Sequence, residues 1–152
     1  MAGREVSNGV AVVLTAVVGG LIALQAPINS ELGRGIGTFQ AAFVSFAIGT
    51  LVLAVIAGLA RGSFTTIPEA KNLSWYYLSG GVLGAIYVTT VLVTVRELGA
   101  GPVVAATIAG QLSAGVVIDH YGWLGVAKEP VTAGKVAGIV LLAAGVYLMV
   151  RR

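Results

Sequence analysis

Cysteine is absent from this chain of 152 residues, which excludes a disulfide framework and thiolate chemistry and leaves the redox compartment unmarked. Histidine occurs once, so one subunit has no His/Cys ligand set for a metal. Charge is scarce as well: Asp, Glu, Lys and Arg make up 10% of the residues, against about 25% in soluble domains. So few polar side chains cannot cover a water-facing surface. The nine Lys and Arg give a net charge of +3 but form no basic face, which argues against a nucleic-acid partner and for charges that flank a membrane. No nucleophile and base are spaced for catalysis, and no phosphate-cradling loop precedes a P-loop lysine. The chain is therefore expected to be no enzyme and to need no cofactor.

What is present is apolar length. Hydrophobic residues make up 57% of the chain and the mean hydropathy is +0.97. A membrane span needs about 20 apolar residues to cross about 30 Å of hydrocarbon, and five segments meet that need, at about 8–32, 38–60, 74–95, 101–119 and 132–150. The reading is an all-α membrane protein, a single domain of five transmembrane helices over residues 1–152. Arg4 ahead of the first apolar run resembles a signal peptide, but more apolar spans follow, and the run is read as a retained first helix.

Gly33, Gly35 and Gly37 are expected to break helicity and form the first turn. Residues 61–73, with Ser, Thr, Pro68 and three charges, belong in water. A third turn is placed at 96–102, where Pro102 opens helix 4, and a fourth connection at 120–131. Trp75, Tyr76, Tyr77, Tyr121 and Trp123 fall beside connections on the N-terminal side of the membrane, as an interfacial aromatic belt does. Small residues recur four apart: Ala41, Ser45 and Gly49 on helix 2, Ala105, Ala109 and Ser113 on helix 4, and Gly134 and Gly138 on helix 5. Such ridges let helices approach closely in lipid, where hydrophobic expulsion no longer drives association.

Orientation should follow the Lys and Arg on each side. The N-terminal side carries Arg4, Arg61, Lys71, Lys128 and Lys135, and the other side Arg34, Arg96, Arg151 and Arg152. A difference of one charge barely chooses. The expectation is insertion in both orientations and an antiparallel homodimer, in which an inverted partner subunit supplies the second half that alternating access requires.

No Asp, Glu, Lys or Arg occupies the centre of a span, so the polar chemistry at depth belongs to amides and hydroxyls. Gln25 and Asn29 share one face of helix 1, with Pro27 between them removing a backbone hydrogen bond. They serve either as solute contacts or as an interhelical hydrogen bond that pins the bundle. Gln111, with Thr107 one turn before it, makes a polar stripe in mid-helix 4 and has to face protein or a water-filled cavity. Tyr87, Thr90 and Thr94 form a comparable stripe on helix 3, although threonines often bond back to their own helix. Asp119 and Glu31, at helix ends, are read mainly as solvated flanks and otherwise as candidates for a proton or cation site; His120 reads as interfacial.

The stretch from Gly20 to Leu32 (GLIALQAPINSEL), the run from Phe43 to Gly49, and the segment from Ala109 through Gln111 to the Asp119-His120-Tyr121-Gly122 motif resemble the YdcZ-type bacterial inner-membrane family. The resemblance covers nearly the whole chain. It implies membership of the drug/metabolite transporter superfamily, beside the small multidrug resistance exporters, and a five-helix half-transporter that pairs as a dual-topology homodimer, as a product of paired genes, or within a ten-helix fusion. It implies no substrate. The small multidrug resistance exporters carry an embedded Glu in their first helix, where this chain has Gln25 and Asn29, so proton coupling through that carboxylate does not carry over. The expected activity is alternating-access export of a small polar or cationic metabolite across the bacterial inner membrane. Gln25, Asn29, Tyr87, Thr107 and Gln111 are the expected solute contacts. The alternatives are a dual-topology pore and a membrane subunit that only packs against a partner.

Overall fold

The structure is a computed structural model and describes residues 7–60, 64, 65 and 67–151. Arg4, Arg61 and Arg152 of the charge count lie outside the described residues. Among the described residues five α-helices follow one another: α1 (Asn8–Ile36), α2 (Thr38–Leu59), α3 (Gly80–Leu98), α4 (Ala100–Tyr121) and α5 (Ala133–Val150). Two 3-10 helices, Ile67–Asn72 and Trp75–Ser79, lead into α3, and a short one, Trp123–Gly125, follows α4. The five segments around these helices are long and apolar enough to cross a membrane.

The ends of the helices are set by capping and by glycine. Ser7 caps α1, its side chain accepting from the Val10 N–H at 3.4 Å, and Thr132 caps α5 by accepting from Lys135 N–H at 3.2 Å. Gly37, at φ 99°, ends α1 and starts α2: its N–H donates to Gly33 O and its carbonyl accepts from Ala41 N–H. A side chain there would be strained, so glycine is what lets the chain reverse at this residue.

Three boundaries differ from the sequence reading. Gly33 and Gly35 do not break α1; the helix continues through both to Ile36, and Gly37 alone makes the turn. Gly33 is helical, and its missing side chain leaves room for the Arg96 head of α3. Glu31 thus lies within α1 rather than at its end. The third turn shrinks to Gly99, at φ 84°, so Arg96 and Glu97 are helical residues and not loop charges. The third apolar segment begins as the 3-10 helix Trp75–Ser79 and becomes α-helical only at Gly80. With 29 residues, α1 is the longest element; at 1.5 Å per residue it spans about 43 Å, more than the hydrocarbon thickness requires.

The described chain forms two compact units, one up to Arg96 and one from Glu97. In the first, α1 and α2 form a hairpin whose small residues admit α3. Ala41 is completely buried, Leu92 is 1% exposed, and Ala42 and Val88 complete this core with Tyr87 packed against it. Gly84 of α3 opposes Phe46 of α2, whose ring would touch a side chain at that position at 3.4 Å. In the second unit, α4 and α5 pair antiparallel; Gly101 near the start of α4 lies under Met149 near the end of α5. At the other end of this hairpin, the Asp119 carbonyl accepts from Gly122 N–H at 3.2 Å and Glu129 N–H at 2.8 Å, folding the connection back onto α4.

Most large apolar side chains remain exposed, Val12, Leu21, Leu53, Val82 and Leu141 among them. In water this would be untenable for a stable fold, since contiguous apolar surface of this extent drives association. In lipid it is the surface the solvent requires.

Candidate functional site

Within the first unit α1 and α3 leave a cleft between them, lined by Ile22, Gln25, Ala26 and Asn29 from α1 and by Tyr87, Val88, Val91 and Leu92 from α3. Its enclosed space is about 10 Å³, room for roughly one water molecule, and the cleft is open on one side. The lining positions on α1 follow the helical repeat, so one face of the helix delivers both amides to one wall. The structure therefore brings together three of the sequence-selected residues, Gln25, Asn29 and Tyr87. No ionisable carboxylate or amine is among the lining residues; an amide pair and a phenol sit in an aliphatic wall.

The three polar groups differ in freedom. Asn29 is 6% exposed and its Nδ2 donates to Ser45 Oγ of α2 at 3.0 Å. An Asn amide carries two N–H donors and a carbonyl acceptor, so this bond leaves one N–H and the carbonyl uncommitted. Asn29 thus makes the interhelical bond that the sequence allowed, from α1 to α2, and it also lines the cleft. Gln25 is exposed and makes no hydrogen bond to another described residue, which leaves its whole amide uncommitted. Tyr87 is half-buried at the edge of the core. The neighbouring Thr90 and Thr94 donate back to Ile86 O and Thr90 O at 2.8 and 3.1 Å, satisfying themselves within α3.

Thr107 and Gln111 lie on α4, in the second unit. Gln111 is exposed, without a hydrogen bond among the described residues, and Thr107 is half-buried. Ala105, Ala109 and Ser113 are all half-buried on the same helix, and Ser113 donates to Ala109 O at 2.8 Å. Asp119 is half-buried beside His120, whose Nδ1 is buried and has no partner among the described residues. The His120 ring meets Tyr121 edge-on, and Tyr121 stacks on Trp123, each at 4.9 Å. Glu31 is outside the cleft: its carboxylate is exposed and pairs with Arg34 at 3.1 Å. Of the small-residue ridges, Ala41 and Ser45 are used between α1 and α2, while a side chain at Gly49 or Gly138 would meet nothing within 4 Å and one at Gly134 only its own helix cap.

Sequence reasoning passed over a second polar cluster one turn below the cleft. Arg96 reaches from α3 to α1, donating from Nε to Ser30 Oγ at 3.1 Å and from Nη2 to the Ser30 carbonyl at 3.2 Å. The Ser30 hydroxyl in turn donates to Leu92 O at 3.3 Å. Ser30 is 5% exposed. The signal available in the sequence was Gly33, one turn after Asn29: a glycine on the polar face of an apolar helix marks a close approach.

Comparison with known proteins agrees with this architecture. Residues 10–148 match the family described as "Putative inner membrane exporter, YdcZ". Over 82 residues the chain is 29% identical to the inner membrane protein YdcZ of Escherichia coli (strain K12), a stretch covering 54% of each protein. The match thus spans about half the length of that curated relative. No solved structure matches the chain. An exporter family speaks for a transporter rather than an enzyme. With almost its whole length matched and five helices able to cross a bilayer, the chain belongs to the YdcZ family of the bacterial inner membrane and is a multi-pass membrane protein.

Proposed function

We propose that the chain is one half of an alternating-access exporter for a small polar or cationic metabolite, with the second half supplied by an inverted copy of itself. The observation that carries this reading is the convergence of Gln25, Asn29 and Tyr87 on one cleft between α1 and α3. Amides supply donors and acceptors without a fixed charge, and the face of Tyr87 can attract a cation. The aliphatic remainder of the wall favours a solute with an apolar body. On α4, in the second unit, Gln111 and Thr107 are solute contacts by the same amide and hydroxyl chemistry, and Asp119 is the titratable candidate for a proton or cation.

Within one subunit the cleft is a narrow groove open on one side, far short of the roughly 300–1,000 Å³ of usual ligand pockets. A partner subunit would complete it. With Arg96 held inside α3, five flanking charges stand against three, a bias small enough to allow insertion both ways, and Gly49 and Gly138 offer close-approach surface on α2 and α5 that no other described residue occupies.

Flux of a panel of small metabolites and guanidinium-like cations in proteoliposomes tests the site. Gln25→Ala, Asn29→Ala and Gln111→Ala should each lower the transport rate of a solute that the parent carries; parental rates in all three would remove the site assignment. Labelling of a cysteine placed in the C-terminal tail tests the assembly. Modification from both sides of the membrane is expected, and modification from one side only would end the antiparallel dimer.

A further inference from the structure

We infer that Ser30 and Arg96 form a latch that closes the α1/α3 cleft at the end where both helices terminate. The inference rests on the transport reading of that cleft and assigns its gate. Asn29 and Leu92 are the last lining residues in the direction of the helix C-termini. One turn further, Gly33 follows Asn29 and Arg96 follows Leu92, and there the two helices are bonded to each other rather than separated. Three hydrogen bonds meet at Ser30: two received from the guanidinium and one given to Leu92 O.

Gly33 makes the closure possible. A methyl group there would stand 2.5 Å from Arg96 Nη2, and 3.6 Å from both Ala41 Cβ and Leu92 Cδ2. The guanidinium occupies the space that a side chain on α1 would fill. Its position near the C-terminal ends of α1 and α3 also suits a cation, because both helix dipoles present their negative ends there. Arginine's planar fork can engage a hydroxyl and a carbonyl together, which an ammonium cannot do in one geometry.

The bonds are of the kind a gate can break. Arg96 is half-buried, so its head can exchange these partners for water without leaving a bare charge in hydrocarbon. Ser30 O and Leu92 O belong to helices that persist without the latch. Separation of α1 from α3 at this point would open the cleft toward the C-terminal ends, while the Asn29–Ser45 bond keeps α1 attached to α2. Ser30 and Arg96 act through the position of the helices and need not touch the solute.

The absence of native cysteine allows a direct test. Val95, buried on α3 beside Arg96, is replaced by cysteine and its labelling by a hydrophilic maleimide is timed in nanodiscs, where both faces are open to the reagent. Ser30→Ala should speed labelling about tenfold, the change expected from losing one charge-assisted hydrogen bond that favours the closed state, and Arg96→Gln, which loses two, at least as much. Arg96→Lys, which retains the charge but not the fork, should also speed it. A cysteine at Val116, buried in the second unit, is the control and should label at an unchanged rate. Unchanged labelling at Val95 in the folded variants would overturn the latch, and so would equal acceleration at Val95 and Val116, which marks general loosening. Should Arg96→Gln fail to fold, Ser30→Ala decides alone. No solute enters the measurement, so its result is separate from the outcome of the flux experiment.

Discussion

Removing the amide of Asn29 should weaken the bundle by an amount that depends on Ser45. The side chain is 6% exposed and holds one interhelical bond, Nδ2 to Ser45 Oγ at 3.0 Å. Interhelical hydrogen bonds in membranes contribute about 0.6 kcal/mol on average and up to about 1.7. Asn29→Ala also removes packed atoms next to Ala26 and Leu92, so its total cost should be about 1–2 kcal/mol. Ser45→Ala should cost less, because the hydroxyl it removes is half-buried and its loss leaves an amide that the cleft can hydrate. The double variant should be less destabilised than the sum of the two, with a coupling of about 0.6–1 kcal/mol. Equilibrium unfolding in mixed detergent and SDS micelles, followed by far-UV circular dichroism, measures all four proteins. A coupling indistinguishable from zero would refute the bond as a link between α1 and α2. Flux separates the two roles of the residue: Ser45→Ala should retain transport that Asn29→Ala loses.

The two glycines that the sequence treats alike should respond oppositely. Gly35→Ala has open space around it and should stabilise α1 by about 0.5–1 kcal/mol, whereas Gly33→Ala displaces the Arg96 head and should forfeit that gain in the same unfolding titration. Gly122, at φ 66° and with a prospective side chain 3.2 Å from Lys128 Cβ, should tolerate alanine poorly. Gly122→Ala is expected to cost about 1–2 kcal/mol in thermal unfolding. By contrast, Gln25→Ala and Gln111→Ala remove exposed side chains without hydrogen-bond partners among the described residues and should alter stability by less than about 0.5 kcal/mol. Large destabilisation by either would mean that its amide holds the fold and not a solute.

The five helices were legible because lipid imposes a length and an absence of charge that few other structures satisfy, and the apolar runs display both. The ends of the helices were less so. Glycine signals a break in water, yet Gly33 and Gly35 are helical here, and what distinguishes Gly37 from them is a φ of 99° that no pattern of neighbours announces. The pairing of Gln25 with Asn29 on one face follows from helical spacing alone. That Tyr87 would join them, while Ser45 takes an N–H of Asn29, depends on how α2 and α3 pack against α1, which is three-dimensional information. Arg96, read from the sequence as a flanking charge, is where the structure departs most. A single arginine at the end of an apolar run has the same sequence context whether it meets water or, as here, a serine on a helix 66 residues earlier in the chain.

Thermal unfolding of the purified protein against a panel of metabolites and guanidinium-like cations bears most directly on the cleft as a solute site. A ligand that binds only the folded state stabilises it by mass action, by about 2.7 kcal/mol at a hundred times its Kd. The account predicts that a compound raising the Tm of the parent will give a much smaller rise in Gln25→Ala, whose own stability should be close to that of the parent. An equal rise in both proteins would show that the compound binds elsewhere and would contradict the cleft.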